Sequence, residues 1–182
     1  MIRRGSNRNG RQSVAVYSDC ECYRYSLTRS WNAAQPKLLF IMLNPSTATE
    51  QRNDPTVARC ESRAFDLGYG SFRVVNLFAL RATDPSELKR HPAPVGPDND
   101  AILRQSVTRW KPDLILCAWG THGIHLGRDK ATLSLLMKCG ADLWTLGLTQ
   151  GGQPRHPLYL PKDLAPQSWT PSASPPPRAS AI

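Results

Sequence analysis

The chain has no long apolar run. In 182 residues nothing approaches the roughly 18 consecutive uncharged apolar residues of a membrane span. Residues 1–20 also lack the apolar core of a secretory leader. A cytoplasmic protein with no membrane partner is the expectation. Paired cysteines are missing too. The five present are Cys20, Cys22, Cys60, Cys117 and Cys139, an odd number without CxxC spacing. That argues against a disulfide framework and against a structural zinc site. Cys60, Cys117 and Cys139 sit in apolar surroundings and read as small core residues. Only Cys20-Glu21-Cys22 leaves room for metal or redox chemistry, and further ligands are wanting there. No metal and no cofactor are therefore expected. Acidic residues are few, 14 against 23 Lys and Arg, for a net charge of +9. The excess is uneven. Residues 1–12 carry Arg3, Arg4, Arg8 and Arg11 with no acid, and only Arg178 follows Trp169. The body of the chain is thus only mildly basic, and the basic end reads either as a phosphate-contacting arm or as a solvated tail.

A chain of this length supports one domain with a real core. Residues 1–12 are mostly Arg, Asn, Gly and Ser, and residues 170–182 are mostly Pro, Ser and Ala. Both compositions bury too little surface to offset ordering entropy. The expected organisation is a disordered basic arm (1–12), one α/β domain (13–169) and a disordered Pro/Ser-rich tail (170–182), with no internal repeat.

Inside the domain, strand and helix signals alternate. Tyr23–Trp31 reads as a strand with mixed faces. Lys37–Leu43, Phe72–Phe78, Asp113–Trp119 and Ala141–Leu146 are short continuous apolar runs, the pattern of strands buried on both sides. Asp54-Pro55 caps a helix whose apolar positions are Val57, Cys60, Ala64 and Leu67, closed by Gly68. Asp84-Pro85 caps a short helix, Asp98 or Asp100 starts a longer one, and a fourth surrounds Lys130–Cys139. Alternation of this kind predicts a three-layer α/β/α fold around a short, mainly four-stranded parallel sheet.

In an open α/β sheet, ligands bind beyond the carboxyl ends of the strands. The residues there are Asn44-Pro45-Ser46-Thr47 after the first apolar strand, Asn76 at the end of the second, and Trp119-Gly120-Thr121-His122 after the third. Arg155-His156-Pro157 follows the fourth. Each piece also has a plain structural reading: a turn, a backbone-bonded Asn, a core aromatic, a loop proline. Gathered at one edge, the carboxamides of Asn44 and Asn76 and the imidazole of His156 suit a flat polar ligand. Ser46, Thr47, Trp119, Gly120 and Arg155 would line the same opening. Arg24, Tyr25 and Asp54 are further neighbours, Asp54 reading first as a helix cap.

Several of these segments carry a resemblance. Met42-Leu43-Asn44-Pro45-Ser46-Thr47-Ala48, Asn53-Asp54-Pro55-Thr56, Gly68-Tyr69-Gly70 and Val75-Asn76-Leu77-Phe78-Ala79 are similar to the bacterial family known as domain of unknown function 1643. So are Thr83-Asp84-Pro85, Gly96-Pro97-Asp98-Asn99-Asp100, Ala118-Trp119-Gly120 and His156-Pro157-Leu158-Tyr159-Leu160. At longer range the layout resembles the uracil-DNA glycosylase superfamily. Asn44-Pro45 falls on its first motif, Asn76 on its base-reading position and His156-Pro157 on its late His-Pro motif. Ser46 stands where that superfamily has Gly or Tyr, Leu158 where it has Ser, and the iron–sulfur cysteines of one branch have no counterpart.

The resemblance implies a glycosylase-like protein that binds a nucleobase in DNA or a nucleotide. Asn44 would orient water, Asn76 read the base edge, and neutral His156 donate to the departing base. Such chemistry asks the protein to stabilise a leaving group and place a water. Leu158 and Tyr159 are candidate wedges for flipping a base. A non-catalytic nucleotide or modified-base binding module, acting as a monomer, is the alternative. A metal-dependent hydrolase using Asp54, His122, His125 and His156 ranks below both, because no HExxH frame surrounds them.

Overall fold

A computed structural model of the chain describes residues 1–171. It shows one eight-stranded mixed sheet in the order β1-β2-β3-β5-β4-β6-β7-β8. The strands are β1 (Ile2–Arg8), β2 (Arg11–Tyr17), β3 (Arg24–Ser30), β4 (Lys37–Met42), β5 (Ser71–Asn76), β6 (Leu114–Cys117), β7 (Leu143–Thr145) and β8 (Gln167–Ser168). Four of the seven strand pairings are antiparallel, so the short four-stranded parallel sheet of a three-layer α/β/α fold is overturned. The four apolar strands expected from the sequence do pair in parallel, as β5-β4-β6-β7. The sheet does not stop there. The first 30 residues add three antiparallel strands at one edge, and β8 adds another beyond β7.

The expected disordered arm is the outermost of those strands. Asn9 (φ 51°) and Gly10 (φ 75°) turn β1 into β2, and positive φ at both residues is what a tight type I′ hairpin turn requires. β1 is polar because it is an edge strand with most of its side chains exposed, not because it fails to fold. Of the Pro/Ser-rich tail expected at 170–182, all but Thr170 and Pro171 lies outside the described residues.

The helices are α1 (Pro55–Asp66), α2 (Pro85–Arg90), α3 (Asn99–Thr108) and α4 (Arg128–Lys138). Asp54 caps α1 by accepting Val57 N–H at 2.8 Å, and Pro55 opens the helix, as the sequence suggested. Val57, Cys60 and Ala64 of α1 pack in one buried cluster with Leu38, Phe40 and Met42 of β4. Leu103 of α3 and Leu136 of α4 join Leu39 and Ile41 in a second cluster. Alternate residues of β4 thus serve opposite faces, the period-two arrangement of a strand covered on both sides. Packed in this way, α1 brings its N-terminus to the same end of the sheet as the loops that follow β4, β6 and β7.

Candidate functional site

At that end lies a cleft of about 670 Å³. Its walls come from Asn44, Ser46 and Thr47 after β4, Asp54 and Thr56 at the start of α1, and Thr83 after β5. Trp119, Gly120 and His122 after β6, and Arg155, His156 and Tyr159 after β7, complete it. Seven of the eight residues chosen from the sequence are therefore gathered there.

The eighth is not. Asn76 is buried at the end of β5, opposite Met42 of β4, and is absent from the cleft lining. Its backbone carbonyl accepts Asn99 Nδ2 at 3.0 Å, while its Oδ1 is buried with no hydrogen-bond partner among the described residues. The base-reading role drawn from the resemblance finds no support in this position.

Asn44 sits two residues beyond the end of β4 and is only half-buried. Its Nδ2 donates to Ala82 O at 2.8 Å and to Pro45 O at 3.0 Å, tying the two loops together. Both amide protons are then spent on backbone, and the side-chain oxygen is what Asn44 can offer to a water or a ligand donor.

His156 is oriented by its own turn. Nδ1 accepts Leu158 N–H at 3.4 Å, capping the 3-10 turn Pro157–Tyr159. A neutral imidazole that accepts at Nδ1 carries its proton on Nε2. Burial pushes His156 below the usual histidine range, with the Asp54 carboxylate acting in the opposite direction. The neutral Nε2–H donor is thus the form the cleft favours at neutral pH.

Two features hold this loop in place. Gly120, with φ 72°, donates its N–H to Pro154 O at 2.7 Å, and a Cβ there would stand 3.9 Å from His156 Cβ. The positive φ, rather than lack of space, is what calls for glycine. Trp119 is buried, and its indole N–H donates to Gln153 Oε1 at 2.7 Å, while Gln153 Nε2 donates to Asp129 Oδ2 at 2.9 Å. Trp119 therefore offers the cleft an apolar wall and uses its polar atom to anchor the segment before His156. Gln153's part is invisible in the sequence, because an isolated Gln in a Gly-rich loop has no pattern to betray it.

Asp54 does more than cap. It is buried, Oδ1 receives Val57 N–H and Oδ2 receives Ala48 N–H at 3.3 Å, yet it borders the cleft. It is a carboxylate held rigidly near His156. Arg24, by contrast, lies wholly buried beneath the loop after β4 and donates Nη1 to Ala48 O at 2.6 Å. Burial pushes it down to about 10, with Asp54 opposing. Neither Arg24 nor Tyr25 reaches the cleft lining. Tyr159 does, and at 80% exposure its ring stands 5.7 Å from that of His156.

Of the four residues of the metal-hydrolase reading, Asp54, His122 and His156 border the cleft and His125 does not. His125 packs against Phe78 at 5.7 Å between ring centroids and does not line the cleft. No group of three or more His, Cys, Asp or Glu arranged to hold a metal occurs among the described residues.

A second hollow of about 630 Å³ shares Ser46, Thr47, Ala82 and Thr83 with the first and is bordered by Arg52 and Arg81. A third, of about 540 Å³, shares Thr49 and Arg52 with the second and adds Arg4 and Arg8. The three hollows adjoin through these shared residues and carry both signs of charge, with Glu21 and Glu87 in the second and Glu50 in the third beside the arginines.

The fold and the cleft define an α/β protein with a pocket of mixed apolar and polar lining at the carboxyl end of its parallel strands. Residues 24–158 match the family described as protein of unknown function (DUF1643), well over half of the chain, and the protein belongs to that family. No curated protein matches the chain. Membership brings no reaction with it, and it does not confirm the longer-range likeness to uracil-DNA glycosylases.

Proposed function

We propose that the cleft binds a nucleobase, in DNA or in a nucleotide, and hydrolyses its N-glycosidic bond. The observation that carries this reading is the pairing of two oriented groups in one cleft: a neutral His156 with its proton on Nε2, and Asn44 with its amide protons spent and its oxygen unspent. His156 donates to the oxygen of the departing base, which leaves with negative charge. Asn44 Oδ1 orients the attacking water, and the Asp54 carboxylate supports the cationic sugar left behind. Tyr159 offers an exposed ring on which a flat base stacks. Arg155 and the arginines of the adjoining hollows supply phosphate contacts. No membrane partner enters this reading, and the protein acts as a monomer in the cytoplasm.

A specific observation favours a second reading, a binding module without hydrolysis. With Asn76 outside the cleft, one of the two amides expected to address the ligand is lost, and both oxygens of Asp54 already receive backbone N–H groups. One experiment separates the two. Oligonucleotides and nucleosides carrying modified bases are incubated with the protein and with His156→Ala, and free base and bound ligand are both measured. Base release that vanishes in His156→Ala supports hydrolysis. Saturable binding weakened by His156→Ala, without product, supports the module. If neither occurs across the panel, both readings fall.

A further inference from the structure

Residues 18–23 join β2 to β3 and carry the only close cysteine pair in the sequence. The turn is firmly built. Ser18 N–H donates to Tyr23 O at 3.1 Å and Glu21 N–H to Ser18 O at 3.0 Å. Glu21 takes φ 56°, the left-handed region that a side-chain-bearing residue seldom adopts, and this reverses the chain between the two cysteines. Neighbouring elements pin the reversal. Glu21 pairs with Arg4 of β1, Arg81 N–H donates to Cys22 O at 3.0 Å, and Arg81 Nη1 donates to Glu21 O at 3.3 Å.

On this rigid turn both thiols are exposed. Ser18 Oγ lies 3.2 Å from Cys20 Sγ and also accepts Tyr23 N–H at 3.2 Å. With its lone pair engaged by the backbone, the Ser18 hydroxyl is free to turn its proton to the sulfur. Cys22 Sγ lies 3.5 Å from Cys20 O and borders the second hollow. Cys60 and Cys117 are buried and out of reach of solvent, and burial pushes both thiols up.

We propose that Cys20 and Cys22 form a thiol–disulfide exchange site that takes a small organic disulfide of the glutathione or cystine type. The Cys20 thiolate attacks one sulfur of the disulfide, forming a mixed disulfide and releasing one thiolate, which takes a proton from solvent. Cys22 then gives up its proton and attacks the Cys20 sulfur. The second small thiol leaves, and an internal Cys20–Cys22 bond remains. The protein loses two electrons and two protons, and the small disulfide gains them as two thiols. The asymmetry of the pair sets the order of events. Hydrogen bonds from the Ser18 hydroxyl and from Cys22 hold Cys20 below the usual thiol range, while the bond to Cys20 and its charge push Cys22 up. The charged or titratable groups around the turn are Arg81 beside Cys22, Tyr23 at its end, the Arg4–Glu21 pair, Asp19 with the Met1 ammonium, and Arg52, Glu87 and His91 around the hollow that Cys22 borders. The low-pKa member attacks and the other resolves, as in other paired-thiol sites. This proposal is independent of the nucleobase cleft, since its assay needs no base.

The test uses the reduced full chain and oxidised glutathione, read by intact mass and peptide mapping. The expected product is the protein lighter by two hydrogens, with Cys20 linked to Cys22 and no retained glutathione. Cys22→Ser should stop at a glutathione adduct on Cys20, and Cys20→Ser should react at least about tenfold more slowly at neutral pH. Far-ultraviolet circular dichroism confirms that both variants keep the fold. A linkage that never forms, or a glutathione adduct on the partly buried Cys139 as fast as at Cys20, would overturn the assignment.

Discussion

Strands β4 and β5 lie side by side in parallel, and asparagine appears at the end of each. Met42 of β4 pairs with Asn76 of β5, so Asn76 is still inside the ladder when β4 has two residues to go before Asn44. That offset separates their fates. Asn44 has left the sheet and stands in a loop that borders the cleft, with its amide nitrogen used to brace that loop against Ala82. Asn76 remains within the layer and is closed over by Asn99 at the start of α3, whose side chain ties to the Asn76 and Leu77 carbonyls. Two identical residue types at the same end of the same sheet differ because one is two positions further out. Position along a strand end, more than residue type, decides what can touch a ligand.

The comparison can be broken experimentally. The largest effect is expected at His156. Losing one oriented donor to a developing anion typically costs about 10²–10³ in rate, so base release by His156→Ala should fall by that order while the melting temperature changes little. Next comes the asparagine pair. Asn44→Ala should lower base release or ligand affinity at least about tenfold and cost about 1–2 kcal/mol of stability, because the Ala82 and Pro45 bonds go with it. Asn76→Ala should leave turnover within about threefold. It should change stability by about 1 kcal/mol, since it removes a buried oxygen without a partner and leaves a small void. Chemical denaturation beside the base-release assay checks both. The reverse pattern, an inert Asn44 and an essential Asn76, would put the site elsewhere.

Asp54→Asn sharpens the picture further. Asn is as good a cap as Asp, so α1 should keep its start, but its Nδ2 cannot accept Ala48 N–H as the carboxylate does, and the substitution should cost about 1–3 kcal/mol. The negative charge that raises His156 is gone, and the imidazole should titrate at lower pH than in the wild type, as followed by NMR. The smallest effect is on stability against pH. His156 is held below its unfolded value of about 6.5. The unfolded chain therefore binds a proton first, and this contribution is fully present above about pH 6.5 and declines as pH falls. Denaturation midpoints at pH 7.5 and 5.5, compared between wild type and His156→Ala, should show a smaller acid-side loss in the variant.

Much of the site was legible because loops after buried strands announce themselves. Asn44-Pro45, Trp119-Gly120 and His156-Pro157 each follow an apolar run, and the structure assembles all three around one cleft. Asp54-Pro55 carried a local capping signal that needs no tertiary context, and the cap is there. The misses have physical causes as well. Beyond Ile2, residues 2–8 are Arg, Gly, Ser and Asn, so this edge strand has no apolar run to mark it, although Asn9-Gly10 is itself a strong hairpin signal. Gln153 has no local signal because it meets its partner, the indole N–H of Trp119, across 34 residues of chain.

The amino-acid sequence alone determined the local elements: four apolar strands with period-two faces, helices between them of which two open on Asp-Pro caps, and polar residues waiting at the strand ends. These depend on interactions within a few residues, which composition and spacing encode directly. Only tertiary structure decided that the sheet grows to eight strands, that Asn76 is sealed inside while Asn44 is not, and that His156 comes to share one cleft with Asn44 and Asp54. Those outcomes rest on pairing between segments far apart in the chain and on burial.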